Sequence, residues 1–362
     1  MGIDSRMVVL RKRQKDAFVL RFGGWNYFLG SIKHKVKKLL RLPDELNECR
    51  QLARKDGRVY TLPVSNIDLW RCKAVREADV LVIHWVGGYL DYRTFFKQLS
   101  VPVIFVMHDE NCICGIANTP DVRPKHPLED KYFALKLHVM QSLKHAGVVF
   151  TSQDSYQQFS NLPILKGLKK AVIHNSVDTS RFIRTDKQAA RASLNLPQTA
   201  TLFAFCAYNI TDKGKGLDVL SATLLRINPD YRILAVGNNR QKATWPNVIS
   251  IGKLDSPEQI AVVYSASDYF CMPSFKEHFA QSPLEAMACG LPVVAFPWSG
   301  TTELITPENG IRCADFTSEA LEEGLRKALS TSYDGQKIRQ DMAERFAPEQ
   351  IARTYLDFCN TL

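Results

Sequence analysis

Short apolar runs alternate with stretches of helical character along most of the chain. In the first half, apolar runs predict strands at residues 3–10, 59–62, 79–85, 102–109, 146–151 and 170–173. The stretches between them predict helices at residues 67–76 and 92–99. Strands that alternate with helices in this way are typical of a doubly wound parallel sheet with helices on both faces. The pattern therefore predicts an α/β fold.

The second half of the chain repeats this alternation. Strands are predicted at residues 201–207, 231–236, 248–251, 269–271, 292–296 and 310–313. A helix is predicted to begin at Leu217, and residues 318–362 are mostly helical in character. Because 362 residues exceed what one hydrophobic core usually holds, we expect two domains, each with its own parallel sheet.

The segment with the clearest pattern is residues 268–296, which predicts strand, loop, helix and strand. Pro273-Ser274 is a turn signal that ends the first strand. The helix is predicted at residues 283–288, and Gly290 ends it as a C-terminal cap. Residues 292–296 then form a strand of the fully buried type.

Two carboxylates lie within this segment, Glu277 in the loop and Glu285 in the first turn of the helix. Ligands of open α/β sheets bind beyond the carboxyl ends of the strands, so both carboxylates are expected at one crevice. A carboxylate accepts hydrogen bonds from vicinal hydroxyls, which suits a sugar or a ribose. Taken singly, each glutamate is also explained as a solvated loop residue or as a complement to the helix dipole.

A second candidate loop runs from Tyr208 to Gly216, between a predicted strand and the helix at Leu217. It contains two glycines and two lysines, Lys213 and Lys215. Backbone N–H groups, a helix N-terminus and ammonium groups together favour a phosphate. The loop is not a P-loop, because the G-x-x-x-x-G-K-[ST] pattern is absent.

Two histidines, His84 and His108, end successive predicted strands in the first half, and Asp109 follows the second. A single histidine at a strand end is more often structural than catalytic. Two of them in register at the expected crevice raise the functional interpretation to equal standing with the structural one.

The pattern P-S-x-x-E-x-F, followed by E-A-M-A-C-G-x-P-V-V-A, resembles the E-x7-E signature of retaining glycosyltransferases of family 4. This resemblance implies a GT-B fold, in which two Rossmann-like domains face a cleft. It implies that Glu285 holds the ribose hydroxyls, that Glu277 contacts the donor sugar, and that Lys215, helped by Lys213, stabilises the departing diphosphate. The same donor-binding region would include Asn209, Phe279, Ala280, Gln281, Ser282 and Leu284.

On the acceptor side, the resemblance favours His108 as the catalytic polar group, with His84 and Asp109 beside it. Residues 79–90 and 102–109 are similar to a polysaccharide-assembly branch of the family, of the colanic-acid type. The implied function is transfer of a sugar, with retention, from a UDP- or GDP-sugar to a glycan or lipid-linked glycan in cell-surface polysaccharide biosynthesis. No D-x-D pattern occurs and lysines can neutralise the diphosphate, so neither a metal nor a bound cofactor is expected.

The implied domains are residues 1–190 on the acceptor side, residues 191–347 for the nucleotide-sugar donor, and a last helix at residues 348–362 that crosses back to the first domain. The hinge turn at residues 172–182 has Ser176 where the family has Gly. Ala280 also replaces a Gly, and the diphosphate-clamp arginine is missing, with Asn209 or Ile210 nearest its position.

The family's first strand and Gly-rich loop would precede the segment that resembles residues 3–10, so the N-terminal domain is expected to lack its first β-loop-α unit. Two alternatives stay open. One is a catalytically degenerate GT-B homologue that acts as a binding or scaffold partner. The other is a different GT-B enzyme, such as a phosphorylase or a sugar-nucleotide epimerase.

The net charge of +10 is concentrated at the N-terminus, where residues 1–42 carry eleven Lys and Arg against two Asp. This distribution argues against nucleic acid as a partner. Residues 25–41 predict a helix with an aromatic apolar stripe flanked by lysines, which suits peripheral contact with an anionic membrane or packing on its own domain. Nine scattered cysteines and no apolar signal segment predict a cytoplasmic location, with possible attachment to the inner membrane face left open.

Overall fold

The computed structural model describes residues 4–11, 16–24, 28, 32, 44–275, 277, 279–297, 300 and 303–362. By contacts between residues, the chain divides into two compact units. The first unit comprises the described parts of Met1–Phe150, together with Tyr156–Val172 and Asp357–Leu362. The second comprises Thr151–Ser155 and Ile173–Leu356. The sequence assigned residues 173–190 to the N-terminal domain and residues 348–356 to the helix that returns to it. By contacts, both ranges belong to the second unit.

The first unit contains a four-stranded parallel sheet and a separate two-stranded parallel one. The larger sheet has the order β3-β4-β5-β6, formed by Leu81–Ile83, Val103–Met107, Ala146–Phe150 and Lys169–Val172. The smaller one pairs β1 with β2, formed by Met7–Val9 and Val19–Arg21. Strands β4 and β5 are buried along their whole length, as their uninterrupted apolar sequence predicts. Among the described strands β3 pairs only with β4 and β6 only with β5, so these two are the edges of the sheet.

Helices of the first unit fill the connections between these strands. They are α1, α2 and α3, formed by Glu45–Asp56, Lys73–Arg76 and Pro127–Ser142. The Asp44 side chain caps α1 by accepting from the backbone N–H of Leu46, and Gly57 ends it with a φ of 65°. Short 3-10 helices occur at Leu69–Arg71, Phe95–Gln98, Asn111–Ile113, Pro120–Val122 and Pro163–Leu165. Helix α4, Gln153–Phe159, follows β5.

Three predicted elements of this unit differ in the structure. Residues 59–62 form no strand: the N–H of Thr61 donates to the Ile116 carbonyl at 2.9 Å, and the side chains of Tyr60 and Leu62 on either side of it are buried. The helix predicted at residues 67–76 is split into a 3-10 helix and α2, because Cys72 between them has extended backbone angles. The helix predicted at residues 92–99 is a single 3-10 turn.

The second unit contains a six-stranded parallel sheet with the order β12-β11-β10-β7-β8-β9. In chain order from β7, the strands are Leu202–Asn209, Arg232–Asn238, Val248–Gly252, Tyr269–Met272, Val293–Ala295 and Gly310–Arg312. Along β7, Phe203 and Phe205 enter one hydrophobic cluster and Ala204 enters another. Both faces of the sheet are therefore covered, as in a doubly wound fold.

Helices α5 to α11 belong largely to this second unit and cover the sheet. They are formed by Lys187–Ser193, Leu217–Ile227, Pro257–Ala266, Gln281–Ala288, Ser318–Leu329, Gly335–Phe346 and Pro348–Cys359. The strands and helices predicted for this half of the chain are found within a few residues of their expected bounds. Helix α8, Gln281–Ala288, begins two residues before the predicted start, and Gly290 follows it with a φ of 76°.

Several sequence expectations concern features outside this core. The helix predicted at residues 25–41 lies outside the described residues except for Phe28 and Ile32, both of which are exposed. None of the helices formed by the described residues combines the length and apolar character that crossing a bilayer requires. All nine cysteines are free thiols. Within the described ranges, no group of three or more His, Cys, Asp or Glu side chains is arranged to hold a metal ion.

Candidate functional site

The strand order of the second unit defines where a ligand would bind. From β7 the chain proceeds outward through β8 and β9, then returns to the other side of β7 and proceeds outward through β10, β11 and β12. The order therefore reverses between β7 and β10, which is the topological switch point of an open parallel sheet. Ligands bind in the crevice beyond the carboxyl ends of the strands at such a point. The loop that follows β7 contains Lys213 and Lys215 and is called the lysine loop. The loop that follows β10 contains Glu277 and is called the Glu277 loop. Both were predicted from the sequence.

These two loops touch through their backbones. Gly216 has a φ of 75°, and a Cβ added there would lie 2.1 Å from the carbonyl oxygen of Pro273. The N–H of Phe275 donates to the Gly214 carbonyl at 2.9 Å. Glycine is needed at position 216 for both the left-handed backbone and the close approach. This contact brings the lysine loop against the Glu277 loop.

As a result, Lys215 and Glu277 form an ion pair, with 2.6 Å between Nζ and Oε1. Both side chains are partly exposed, so each can be reached from solvent. Lys215 lies in the 3-10 helix Lys213–Lys215, which Asp212 caps by accepting from the Gly214 N–H at 2.9 Å. An ammonium and a carboxylate held together at a switch point can bind an anion and a hydroxyl-bearing group side by side.

The other residues predicted in this region have different environments. Lys213 is exposed on the same 3-10 helix, and Asn209 accepts from the Thr211 hydroxyl at 2.9 Å. The Gln281 amide donates to the Ser176 carbonyl at 2.6 Å. Ser282 is partly exposed. The remaining three residues bury their side chains in the core: Phe279, Ala280 and Leu284.

Glu285 lies on α8 in a largely buried position, beside Tyr264 of α7 and Cys206 of β7. Burial raises the pKa of its carboxyl to about 7, and the nearby Tyr264 hydroxyl acts in the opposite direction. A largely buried carboxyl with a raised pKa, on the helix that follows the Glu277 loop, is typical of a functional site. Sequence analysis selected Glu285 but gave no sign of Tyr264, whose position in the middle of a helix resembles that of a core aromatic.

In the first unit, the structure brings together the two histidines at the ends of β3 and β4. His84 Nδ1 lies 2.8 Å from His108 Nε2, and the rings stack with 5.1 Å between centroids. Burial lowers the pKa of both imidazoles, to about 4 for His108, whose value the neighbouring His84 lowers further. At neutral pH both rings are therefore uncharged, and one donates its N–H to the other. Asp109 accepts from the Asn111 N–H at 3.0 Å and shapes the turn that follows.

The loop after Asp109 is held by side chains of α3 that the sequence analysis did not select. The buried Glu129 carboxylate accepts from the N–H groups of three successive residues at 2.7, 2.7 and 3.1 Å: Gly115, Ile116 and Ala117. The fully buried Lys136 donates to the Asn111 carbonyl at 2.6 Å. Burial lowers the pKa of Lys136 to about 8. Glu129 and Lys136 lie two turns apart on one helix face, and that spacing was the only available signal.

A further hydrogen bond between side chains of the second unit was also missed. His174 Nε2 lies 2.7 Å from Glu303 Oε2, and Glu303 accepts from the Asp154 N–H at 3.0 Å. Burial acts to raise the pKa of Glu303, but these hydrogen bonds outweigh it and the pKa is lowered. His174 also packs on Phe279, with 5.3 Å between ring centroids. The sequence analysis had read His174 as part of a hinge turn, with no expected partner.

Comparison with families of known proteins connects this site to an enzyme class. Residues 186–347 match the family described as "Glycosyl transferases group 1". The matched stretch contains Lys215, Glu277 and Glu285 and the whole six-stranded sheet.

Individual relatives agree with this assignment. A D-inositol 3-phosphate glycosyltransferase from Mycolicibacterium gilvum (strain PYR-GCK) is 24% identical over 312 residues, covering 80% of this chain and 65% of that protein. The O-antigen biosynthesis glycosyltransferase WclY from Escherichia coli is 31% identical over 157 residues, covering 41% of each chain. The chain thus spans from about two fifths to about two thirds of the length of these relatives.

A solved structure, Anabaena Alr3699/HepE in complex with UDP and glucose, is similar with a TM-score of 0.61 and 17% identity. The alignment covers 80% of this chain and 80% of that chain. The likeness in fold confirms the predicted α/β class with parallel sheets. The GT-B arrangement of two such domains about a cleft stays a prediction.

Proposed function

We propose that the protein transfers a sugar from a nucleoside-diphosphate sugar to a glycan or lipid-linked glycan, with retention at the anomeric carbon. The observation that carries this proposal is the Lys215–Glu277 pair at the switch point of a sheet whose residues match the glycosyl transferases group 1 family. The names of the relatives, which include an O-antigen biosynthesis glycosyltransferase, support a role in cell-surface polysaccharide synthesis.

In this proposal each group at the site has one task. Glu285 accepts hydrogen bonds from the ribose hydroxyls. Lys215 leaves its ion pair with Glu277 and binds the donor diphosphate instead, and Lys213 adds a second positive charge. Glu277, released from Lys215, accepts from hydroxyls of the donor sugar. Stabilisation of negative charge on the departing diphosphate is then the main catalytic contribution, as in other sites that act by preorganised electrostatics.

The acceptor side is proposed to involve the uncharged pair His84 and His108, with Asp109 shaping the adjoining loop. A neutral imidazole can hydrogen bond to an acceptor hydroxyl as donor or acceptor. Two lysines at the diphosphate position make a divalent metal unnecessary, so we expect turnover to continue in EDTA. We also propose UDP- or GDP-sugars as donors, because a UDP complex is known for the structural neighbour.

A location on the inner face of the plasma membrane is part of the proposal. It is supported by the concentration of positive charge in residues 1–42 and the apolar stripe of residues 25–41. Flotation with vesicles that contain phosphatidylglycerol, in comparison with phosphatidylcholine alone, tests this contact. Equal recovery with both vesicle types would contradict it.

The decisive experiment is a donor screen that detects release of nucleoside diphosphate, with and without bacterial membranes as a source of acceptor. Lys215→Met is expected to lower turnover by about 100-fold or more, because a charge that stabilises the leaving group is lost. Lys327→Met is the matched control, since Lys327 is exposed on α9 far along the chain from the site. Equal turnover in the two variants would contradict the assignment of Lys215.

One observation favours a second candidate, a catalytically degenerate homologue that acts as a binding partner. Of Asn209 and Ile210, the two residues nearest the position of the missing clamp arginine, neither is charged, and Ile210 is 1% exposed and belongs to the hydrophobic core. No positive charge can therefore be supplied from that position. The degenerate candidate predicts no nucleotide release with any donor in the screen above, even when the protein is folded.

A further inference from the structure

The loop that follows β8 lies beside the lysine loop, on the side away from the Glu277 loop. In the order β10-β7-β8 the central strand is β7, so the lysine loop has one of the other two loops on each side. The ends of β7 and β8 approach closely: a Cβ added at Gly237 would lie 1.9 Å from the Ala207 carbonyl oxygen. The Ile210 N–H donates to the Asn238 carbonyl at 2.9 Å, and the Asn238 side chain donates to the Tyr208 carbonyl at 2.8 Å. The start of the lysine loop is thus fixed against the end of β8.

The side chain of Arg240, two residues beyond β8, contacts Tyr208 near the end of β7. Its Nη2 donates to the Tyr208 hydroxyl at 3.2 Å, and its guanidinium carbon lies 5.2 Å from the centre of the Tyr208 ring. Both side chains are exposed. The face of an aromatic ring attracts a guanidinium at this distance. Tyr208 therefore holds the positive charge of Arg240 where the lysine loop begins.

The segment that carries Arg240 is held by contacts of its own. The Asn239 side chain accepts from the Ala243 N–H at 2.9 Å and donates to the Ala243 carbonyl at 2.8 Å. Trp245 Nε1 donates to Asp218 at 2.8 Å, and Asp218 lies in the first turn of α6, the helix that follows the lysine loop. The main chain on both sides of Arg240 is therefore tied to the surroundings of the lysine loop without help from the arginine side chain.

The guanidinium of Arg240 keeps most of its hydrogen-bonding capacity for another group. It has five N–H donors, and the Tyr208 hydroxyl takes one of them. Within the part of the chain that the structure describes, no carboxylate forms an ion pair with it. A guanidinium binds phosphate through two parallel N–H···O bonds. An anionic ligand fits this side chain better than a nucleobase does, because the guanidinium already lies over one face of the Tyr208 ring.

The position of the missing clamp arginine, at Asn209 or Ile210, carries no charge. We propose that Arg240 supplies this charge from the neighbouring loop, and that its guanidinium binds the phosphate groups of the nucleoside diphosphate together with the lysine loop. Tyr208 is a positioning residue, which holds the guanidinium in place for that contact. This inference deepens the proposed function and rests on it.

The test is isothermal titration calorimetry with UDP and with GDP, at about 50 mM and about 300 mM NaCl. Arg240→Met should weaken binding of the diphosphate by about 10-fold to about 100-fold at the lower salt concentration, because charged hydrogen bonds to phosphate are lost. The loss should be smaller at the higher concentration, since salt screens a charge that is exposed to solvent. Arg353→Met is the matched control: Arg353 is exposed on α11, and its loss should leave affinity unchanged.

A second variant tests the role of Tyr208. Tyr208→Phe keeps the ring and removes the hydroxyl that accepts from Arg240. Affinity for the diphosphate should fall about three-fold when Arg240 is present. In a protein that already carries Arg240→Met, the same substitution should cause no further loss, because the two residues act through one contact. An equal loss in both backgrounds would show that Tyr208 does not act through Arg240, and its positioning role would be refuted.

The outcomes are separable. If the unmodified protein binds neither UDP nor GDP, the proposed function is refuted, and the inference fails with it. If it binds one of them and Arg240→Met binds that diphosphate as tightly, only the inference is refuted. A loss in Arg240→Met of the same size at both salt concentrations also refutes it, since the contact would then not be one of charge. A salt-sensitive loss in Arg240→Met that is absent in Arg353→Met supports it.

Discussion

The buried carboxyl of Glu285 should make the protein less stable as pH rises toward neutrality. Burial raises its pKa from the ordinary value of 4.5 to about 7. Below about pH 4.5 the group is neutral in the folded and unfolded protein alike, so it has no effect on stability. Between about pH 4.5 and about pH 7 the unfolded chain ionises while the folded protein keeps the proton, so stability falls across this range and stays at the lower value above it.

The size of this effect follows from the shift in pKa. A difference of about 2.5 units at about 1.4 kcal/mol per unit gives about 3 kcal/mol of lost stability at pH 8. This is an upper value, because the carboxyl is not fully excluded from solvent. Replacing Glu285 with Gln keeps the side-chain volume and removes the ionisation. The variant should therefore be more stable than the unmodified protein at pH 8, by up to about 3 kcal/mol, with a much smaller difference at pH 5.

Urea unfolding followed by circular dichroism at pH 5 and pH 8 measures this difference. Glu323→Gln serves as the control, since Glu323 is exposed on α9 and its ionisation should not affect the comparison. Equal stability of Glu285→Gln and the unmodified protein at pH 8 would refute the reasoning, as would a difference of the same size at both pH values. Loss of donor binding in the more stable variant would place Glu285 among residues kept for function at a cost in stability.

Two further predictions concern the loops. Gly216→Ala should lower both the free energy of unfolding and donor affinity by about 2 kcal/mol or more, because Gly216 has a positive φ and a Cβ added there would lie 2.1 Å from the Pro273 carbonyl oxygen. Gly57 has a similar φ but open space around it, so Gly57→Ala should cost only about 1 kcal/mol of stability. Equal effects of the two substitutions in thermal melts would contradict this prediction. Glu129→Gln should destabilise the first unit by about 2–3 kcal/mol, since three backbone N–H groups lose a charged acceptor. Asp130 is an exposed neighbour on α3, so the control substitution Asp130→Asn should change the melting temperature little.

The strands were predictable where an uninterrupted apolar sequence indicates that both faces of the strand are buried. The runs at β4 and β5 and through the second sheet are uninterrupted and apolar, and parallel strands covered by helices require such runs. Residues 59–62 misled the prediction because β-branched and aromatic residues also suit extended loops that pack on a core. Tyr60 and Leu62 are buried in this way, with the intervening backbone bonded to the loop at Ile116.

The candidate site was predictable where its residues lie in a local pattern. Lys215 and Glu277 lie in loops that follow strands, and Glu285 lies in the helix that comes next, so strand order and loop position were enough to group them; the helix begins two residues early, so Glu285 lies beyond the first turn where the sequence had placed it. Tyr264 and Glu303 contribute through contacts between elements distant in sequence, and nothing in their local sequence distinguishes them from ordinary helix and loop residues. Only the packed structure shows which side chains face a predicted one.

The ion pair between Lys215 and Glu277 has a consequence for the kinetics of the proposed reaction. Glu277 acts as a tethered competitor for Lys215, present at a high effective concentration set by the contact between the two loops. In the proposed reaction an incoming diphosphate would have to displace it, which would weaken donor affinity. As the product diphosphate loosened, the carboxylate would already be in place to bind the lysine again, so product dissociation would be accelerated. The same short contact that limits how tightly the donor binds would thereby protect turnover from product inhibition.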